Sequence, residues 1–204
     1  MADRADFLWF NELARDTGWL HPFAVAYADY GVILFGALLV VGFLVARARR
    51  DLALVARSFV AGVGVLLAVA VNQPIVHAVS EPRPYRAIPH VLLLVHASTD
   101  ASFPSDHATM AGAAAVGLWF VHRRLATLAA VAAVLMAATR VYVGAHYPVD
   151  VVAGLVLGGV VAVLAQIFLA RPVSALLTRA EPLLSRVPGF MPASRSASTV
   201  LCHV

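Results

Sequence analysis

A chain of 204 residues that is 61% hydrophobic and 13% charged, with a mean hydropathy of +0.85, has too little polar surface to cover a soluble core. Soluble domains carry about 25% charged residues, so the bilayer is the expected solvent. All 15 basic residues are arginine, and the net charge of +4 comes without a basic run interleaved with aromatics, which argues against a nucleic-acid partner.

The first twenty residues carry Asp3, Asp6, Glu12 and Asp16 against Arg4 and Arg15, the wrong charge for a cleavable signal peptide. Residues 7–20 mix apolar and charged positions around Trp9 and Trp19 and read as a short interfacial helix, with a frayed tail as the plain alternative. Segment 1–21 is therefore set apart from a membrane-embedded domain over 22–170. Within that domain apolar runs cover about 22–46, 52–78, 107–122, 125–143 and 148–170, several near the roughly 20 residues a membrane helix needs. The third is short. The expected fold is an all-α membrane bundle of about five transmembrane helices plus the N-terminal interfacial helix.

Between the second and third runs lies a long connection, 80–105, with an apolar piece at 91–95 that suits a re-entrant or interfacial segment. The fifth run carries Gly154 and Gly158 in a GxxxG pattern, and the third is alanine-rich with Gly112 and Gly117. Small residues let membrane helices approach closely, and a tight intramolecular bundle is the stronger reading. Residues 171–204, with scattered Pro, Ser and Arg, read as a mobile cytoplasmic tail. Cys202 stands alone there, which leaves no intrachain disulfide and no cysteine-built metal site.

Arginines set the orientation. Ten of them (Arg47, Arg49, Arg50, Arg57, Arg123, Arg124 and the four after residue 170) fall on one side, and five fall on the other. By the positive-inside rule the loop 47–57 is cytoplasmic. The N-terminus, the 80–105 connection and segment 140–150 then share the outer face of the plasma or inner membrane.

Three polar clusters meet on that face: Glu81 to Arg86, Phe103 to His107, and Thr139-Arg140 through His146 to Asp150. Ionisable residues at membrane depth are costly and usually functional. Pro104 and Ser105 begin a helix, leaving the amides of Ser105, Asp106 and His107 as an anion site. An ordinary N-cap explains Ser105, though not His107 one turn into a membrane helix. His146 precedes the last helix, and Asp150 falls in its first turn, where a carboxylate four residues on can accept the ring N–H and raise the basicity of the other nitrogen. A capped helix beside an interfacial histidine is the bland alternative. Arg83 and Arg140 offer planar donors matched to phosphate oxygens, although arginines at a membrane boundary also contact lipid headgroups. Two arginines, an amide-rich helix start and two histidines together form a phosphoryl-transfer constellation. No carboxylate pair or histidine cluster has metal-ligand spacing, so neither a metal nor a cofactor is expected.

These residues resemble the type 2 phosphatidic acid phosphatase superfamily, whose pattern is K-x6-R-P, P-S-G-H and S-R-x5-H-x3-D. Arg83-Pro84 matches the end of the first motif, Pro104-Ser105-Asp106-His107 the second with Asp for Gly, and Thr139-Arg140, His146 and Asp150 the third with Thr for Ser. The resemblance covers about 72–159. It implies that His146 attacks phosphorus to form a phosphohistidine, that Asp150 orients it, and that His107 protonates the leaving oxygen. Arg83, Arg140, Ser105 and the nearby amides hold the phosphate in that scheme. Asp106 is counted with the phosphate-binding residues by its place in the motif, with its carboxylate expected to point aside. The P-S-D-H variant resembles the undecaprenyl-diphosphatase branch and points to an isoprenoid diphosphate as the partner substrate. Phosphatidic acid, phosphatidylglycerol phosphate and polyprenyl-linked sugar phosphates stay open, as does a non-catalytic lipid-phosphate binder or transporter.

The family lysine should fall at position 76, which is Val76; Asn72, Gln73 and His77 are the nearest polar residues, and Arg86 is the nearest spare cation. Asp29 sits between Tyr27 and Tyr30, where an interfacial aspartate or a partner to a site arginine are both open. His77, His90 and His96 read as interfacial. Tyr85, Tyr142 and Tyr147 read as the aromatic belt, with Tyr85 and Tyr147 also able to flank a headgroup. Lipid chain length and oligomeric state are not encoded in any of these features.

Overall fold

The structure, a computed structural model, describes residues 2–184, and these form helices with no strand among them. In chain order they are α1 (Ala2–Asp16), a 3-10 turn (Gly18–Leu20), α2 (His21–Ala48), α3 (Leu52–Val79), α4 (Pro84–Ala87), α5 (Asp106–Trp119), α6 (Arg123–Tyr142) and α7 (Pro148–Leu184). Four of them, α2, α3, α6 and α7, are long and apolar enough to cross a membrane. Large apolar side chains project outward from them, with Leu66 71%, Val134 64% and Phe168 69% exposed, a pattern that needs lipid as its solvent.

At 14 residues α5 is the short one, about 21 Å at the helical rise. It packs against α3, α6 and α7 at once, and Ala108, Ala111, Ala113 and Ala114 are fully buried. A helix covered by protein on three sides does not depend on an apolar outer face, which is how a short alanine-rich segment serves as the bundle's centre.

The α5–α7 crossing explains the glycine spacing. A Cβ on Gly158 would stand 2.0 Å from the Thr109 carbonyl oxygen, and one on Gly154 would stand 2.7 Å from that of Ser105. The GxxxG pattern is thus filled from within the chain, backbone against backbone. This contact fixes the start of α5 against the first turns of α7, where the polar clusters lie.

α3 starts at Asp51, whose carboxylate accepts from the Leu54 amide at 3.0 Å and satisfies an otherwise orphaned donor. The arginine turn before it and the α5–α6 turn share one end of the bundle, joined through Ala46, Val55 and Val121. The site residues lie at the opposite end.

α1 is a docked helix, with Phe7 and Ala14 fully buried, so the frayed-tail alternative falls. The apolar piece at 91–95 is non-helical and is tied to the rest of the protein. Asn11 Nδ2 donates to the Leu92 carbonyl at 2.9 Å while Asn11 Oδ1 accepts from the Leu92 amide at 3.0 Å, and the Leu94 amide donates to Val143 O at 3.0 Å. Gly144 at φ +81 closes the same junction, where a Cβ would meet the Leu92 oxygen at 2.4 Å.

The helix of the fifth apolar run does not end near residue 170. α7 continues through Arg171 and Pro172 to Leu184 as one helix. Residue 171 sits in an unbroken apolar period, and Leu177 packs against the Ala46–Val55–Val121 cluster. The remainder of the expected tail, 185–204 with Cys202, lies outside the described residues.

Candidate active site

All three polar clusters open into one cavity of about 550 Å³. α4 carries the first, the α5 start the second, and the turn from α6 into α7 the third. Arg83, Arg140, His107 and His146 all line the cavity, and Ser105 and Asp150 are fully buried beside it.

His146 is 2% exposed and held from both ring nitrogens. Nδ1 lies 2.9 Å from the Ser102 carbonyl oxygen, an atom that can only accept, so Nδ1 carries the proton. Asp150 Oδ2 is farther, at 3.4 Å. The carboxylate expected to accept the ring N–H therefore shares that task with a closer backbone carbonyl. On the other side Nε2 accepts from Arg83 Nη1 at 3.2 Å, so its single lone pair, on a ring that lines the cavity, is engaged until Arg83 turns to another acceptor. Burial pushes the His146 pKa down to about 4; contact with Asp150 opposes that shift, and the nearby Arg140 and Arg83 cations add to it. The ring is neutral at pH 7, as a nitrogen nucleophile must be.

Asp150 is fully enclosed. Its Oδ2 accepts from the Tyr147 amide at 2.9 Å and from the Ser102 hydroxyl. Ser102, a residue of the long connection with no motif around it, thus touches His146 with its carbonyl and Asp150 with its hydroxyl. The only sequence signal for it is a small polar residue three places before Ser105.

The two arginines differ. Arg83 is braced by the carbonyls of Asp100 (2.9 Å from Nε) and Ala145 (3.3 Å from Nη1). Arg140 makes no side-chain hydrogen bond with any described residue, and its Nε is buried without a partner. Ser105 Oγ is likewise buried and unpartnered. Buried donors left without acceptors are rare, and Arg140 lines the cavity, where an anion would satisfy it. The free guanidinium is the strongest structural sign of a phosphate site.

Not every expected donor is available. The Ser105 amide is already bonded to the Asp150 carbonyl at 3.1 Å, so the amides of the α5 start that remain for an anion are those of Asp106 and His107. The Asp106 carboxylate turns towards α3, where Oδ1 accepts from Asn72 Nδ2 at 2.6 Å and Gln73 Nε2 at 3.0 Å. Its side chain braces α5 against α3 rather than holding phosphate. The His107 side chain makes no hydrogen bond with a described residue and lines the cavity.

Val76 is buried and faces the cavity, so the position of the family lysine is present in space but carries no charge. Asp29 is exposed on α2, outside salt-bridge distance of the described arginines, and its charge acts on Arg140. Tyr142 and Tyr147 do not form a belt: both are 8% exposed, Tyr142 bonded to Thr17 at 2.7 Å and Tyr147 packed edge-on against Phe7. Tyr85 does line the cavity. No group of three or more metal-ligating side chains occurs among the described residues.

The model of the family described as PAP2 superfamily matches residues 57–172. The chain is 30% identical over 175 residues to a protein named undecaprenyl-diphosphatase BcrC from Bacillus subtilis, covering 85% of this chain and 88% of that one. It is 28% identical over 152 residues to a protein named bacitracin transport permease protein BcrC from Bacillus licheniformis, covering 74% and 73%. Among solved structures it is similar to LpxE of Aquifex aeolicus with a TM-score of 0.55 and 21% identity, over 79% of this chain and 93% of that one, a likeness of fold.

Proposed function

As the chain belongs to the PAP2 superfamily, we propose that it is a multi-pass membrane phosphatase that hydrolyses an isoprenoid diphosphate of the undecaprenyl kind at the extracytoplasmic face. The observation that carries this reading is a His146 ring held in one tautomer, its Nε2 met only by Arg83, in the same cavity as an Arg140 guanidinium that has no side-chain hydrogen bond to a described residue. The name of the Bacillus subtilis relative supports the substrate class. Segregation of the arginine turns to the end opposite the cavity supports the orientation.

Chemistry follows from the placement. The terminal phosphate enters between Arg83 and Arg140, and Arg83 exchanges its contact with Nε2 for a phosphate oxygen. Nε2 attacks phosphorus in line, the P–O bond to the leaving group breaks, and His107 gives that oxygen a proton. Positive charge grows on the imidazole and is met by Asp150, which Ser102 and the Tyr147 amide hold in place. Water then attacks the phosphohistidine with His107 taking its proton, and His146 departs neutral. The arginines and the α5 amides stabilise the equatorial oxygens in both transition states.

A transporter or binder, as the name of the Bacillus licheniformis relative suggests, is favoured by Val76 alone. Binding does not require a neutral histidine fixed in one tautomer against a buried carboxylate. Phosphate release from undecaprenyl diphosphate by the purified full chain in detergent, with EDTA present, tests the proposal. Steady turnover supports it, and stoichiometric binding without turnover contradicts it.

A further inference from the structure

Resting on that reading, we propose that Arg86, with His77 and His96, forms a second phosphate subsite at the cavity mouth. It takes the phosphate that leaves with the lipid, and so selects diphosphates over monoesters.

The cavity has two tiers of basic side chains. Arg83, Arg140 and His146 form the inner tier, all at most 9% exposed. Arg86, His77 and His96 line the same cavity but are exposed. His107 is intermediate in burial between these groups. In the mechanism above His107 protonates the leaving oxygen, so whatever is attached to that oxygen extends towards the outer tier. In a monoester that is an alkyl or glyceryl carbon. In a diphosphate it is a second anionic phosphate, which calls for cations where a monoester needs none.

Arg86 is suited to that position because it is held but not neutralised. Its Nη2 donates to the Ser98 carbonyl at 2.7 Å and Nη1 reaches the Thr99 carbonyl at 3.4 Å. Tyr85 secures the same loop, its hydroxyl bonding both the Ser98 amide and carbonyl at 2.9 Å. Carbonyls fix the guanidinium without cancelling its charge, and the ion pairs among described residues do not include it. A pre-positioned cation binds an anion without first losing side-chain freedom.

Two of the three carboxylates that line the cavity are occupied. Asp100 accepts from Ser98 Oγ at 3.0 Å, and Asp106 is tied to Asn72 and Gln73 on α3. Glu81 lines the cavity too, and the charges acting on it are the like-charged Asp150 and Asp3, not Arg86. Val76 fits the same picture, because a cavity without the lysine at that position relies on Arg86 as its third arginine.

The test compares farnesyl diphosphate with farnesyl monophosphate, matched in chain, on the full-length protein in detergent. Arg86→Ala lowers kcat/KM for the diphosphate by about tenfold more than for the monophosphate, chiefly through KM, and Arg86→Lys recovers part of the difference. Equal losses on the two substrates overturn the subsite while leaving the phosphatase reading intact. Because Arg86 also braces the loop, Tyr85→Phe loosens the same segment with the charge retained. It must lower both activities alike; a diphosphate-selective loss in Tyr85→Phe assigns the effect to the loop and overturns the proposal. A parent protein that hydrolyses neither lipid defeats the phosphatase reading itself.

Discussion

His146 Nδ1 lies 2.9 Å from the carbonyl oxygen of Ser102, nearer than the carboxylate of Asp150 at 3.4 Å. The tautomer of the proposed nucleophile is therefore set first by a backbone atom that no substitution at that residue removes. The Ser102 hydroxyl has a separate task, since it donates to Asp150 Oδ2.

Ser102→Ala accordingly keeps the tautomer but leaves the buried carboxylate short of a donor. Such a loss weakens the transition state by about 1–2 kcal/mol, or about tenfold in kcat. Steady-state kinetics should show the change in kcat with KM nearly unmoved. A change confined to KM would place Ser102 in substrate binding instead.

Arg140 has no competing partner among the described residues, so its whole hydrogen-bonding capacity is open to phosphate. Arg140→Ala should lower kcat/KM by about a hundredfold or more. Arg140→Lys should recover only part, because an ammonium lacks the planar pair of donors. Full recovery by lysine would reduce the role of Arg140 to bulk charge.

The α5–α7 crossing offers a test of architecture. A methyl group on Gly158 would stand 2.0 Å from the Thr109 carbonyl. Gly158→Ala must therefore separate two backbones, at about 1–3 kcal/mol. Thermal unfolding in detergent should fall by several degrees, with activity falling too because α5 carries His107 and α7 carries Asp150. An unchanged melting temperature would mean that the helices have room to shift.

Burial depresses the His146 pKa from 6.5 to about 4, which makes stability depend on pH with a defined sign. Between those values the unfolded chain binds a proton that the folded chain refuses. The contribution is whole above pH 6.5 and is lost as pH falls towards 4. Melting temperatures measured across that window should drop more steeply for the parent than for His146→Gln. Parallel curves would show that the imidazole titrates normally in the fold.

Much of this site is legible in the sequence because helix ends are. Pro104-Ser105 and Pro148 mark the starts of α5 and α7, and the four-residue step from His146 to Asp150 places both at one junction. The missed features depend on where the long connection folds back. Ser102 meets His146 and Asp150 across more than forty residues of chain, and Asn11 meets Leu92 across 81; no local pattern encodes either contact. Asp106 illustrates a third case. Its direction is decided by Asn72 and Gln73, two adjacent amides in a mostly apolar stretch of α3, and that pair is the available signal. Arg171-Pro172 reads as a helix stop, whereas α7 runs on because Leu177 still has an apolar cluster to cover.

The central claim is that His146 becomes covalently phosphorylated during turnover. Mixing the purified protein with undecaprenyl diphosphate, quenching in alkali within the first turnover, and sequencing the peptides by mass spectrometry tests it directly. The account predicts a phosphoryl group on the peptide containing His146, on Nε2, and none in His146→Ala. Turnover with no phosphorylated protein, or with phosphate on another residue, would contradict it.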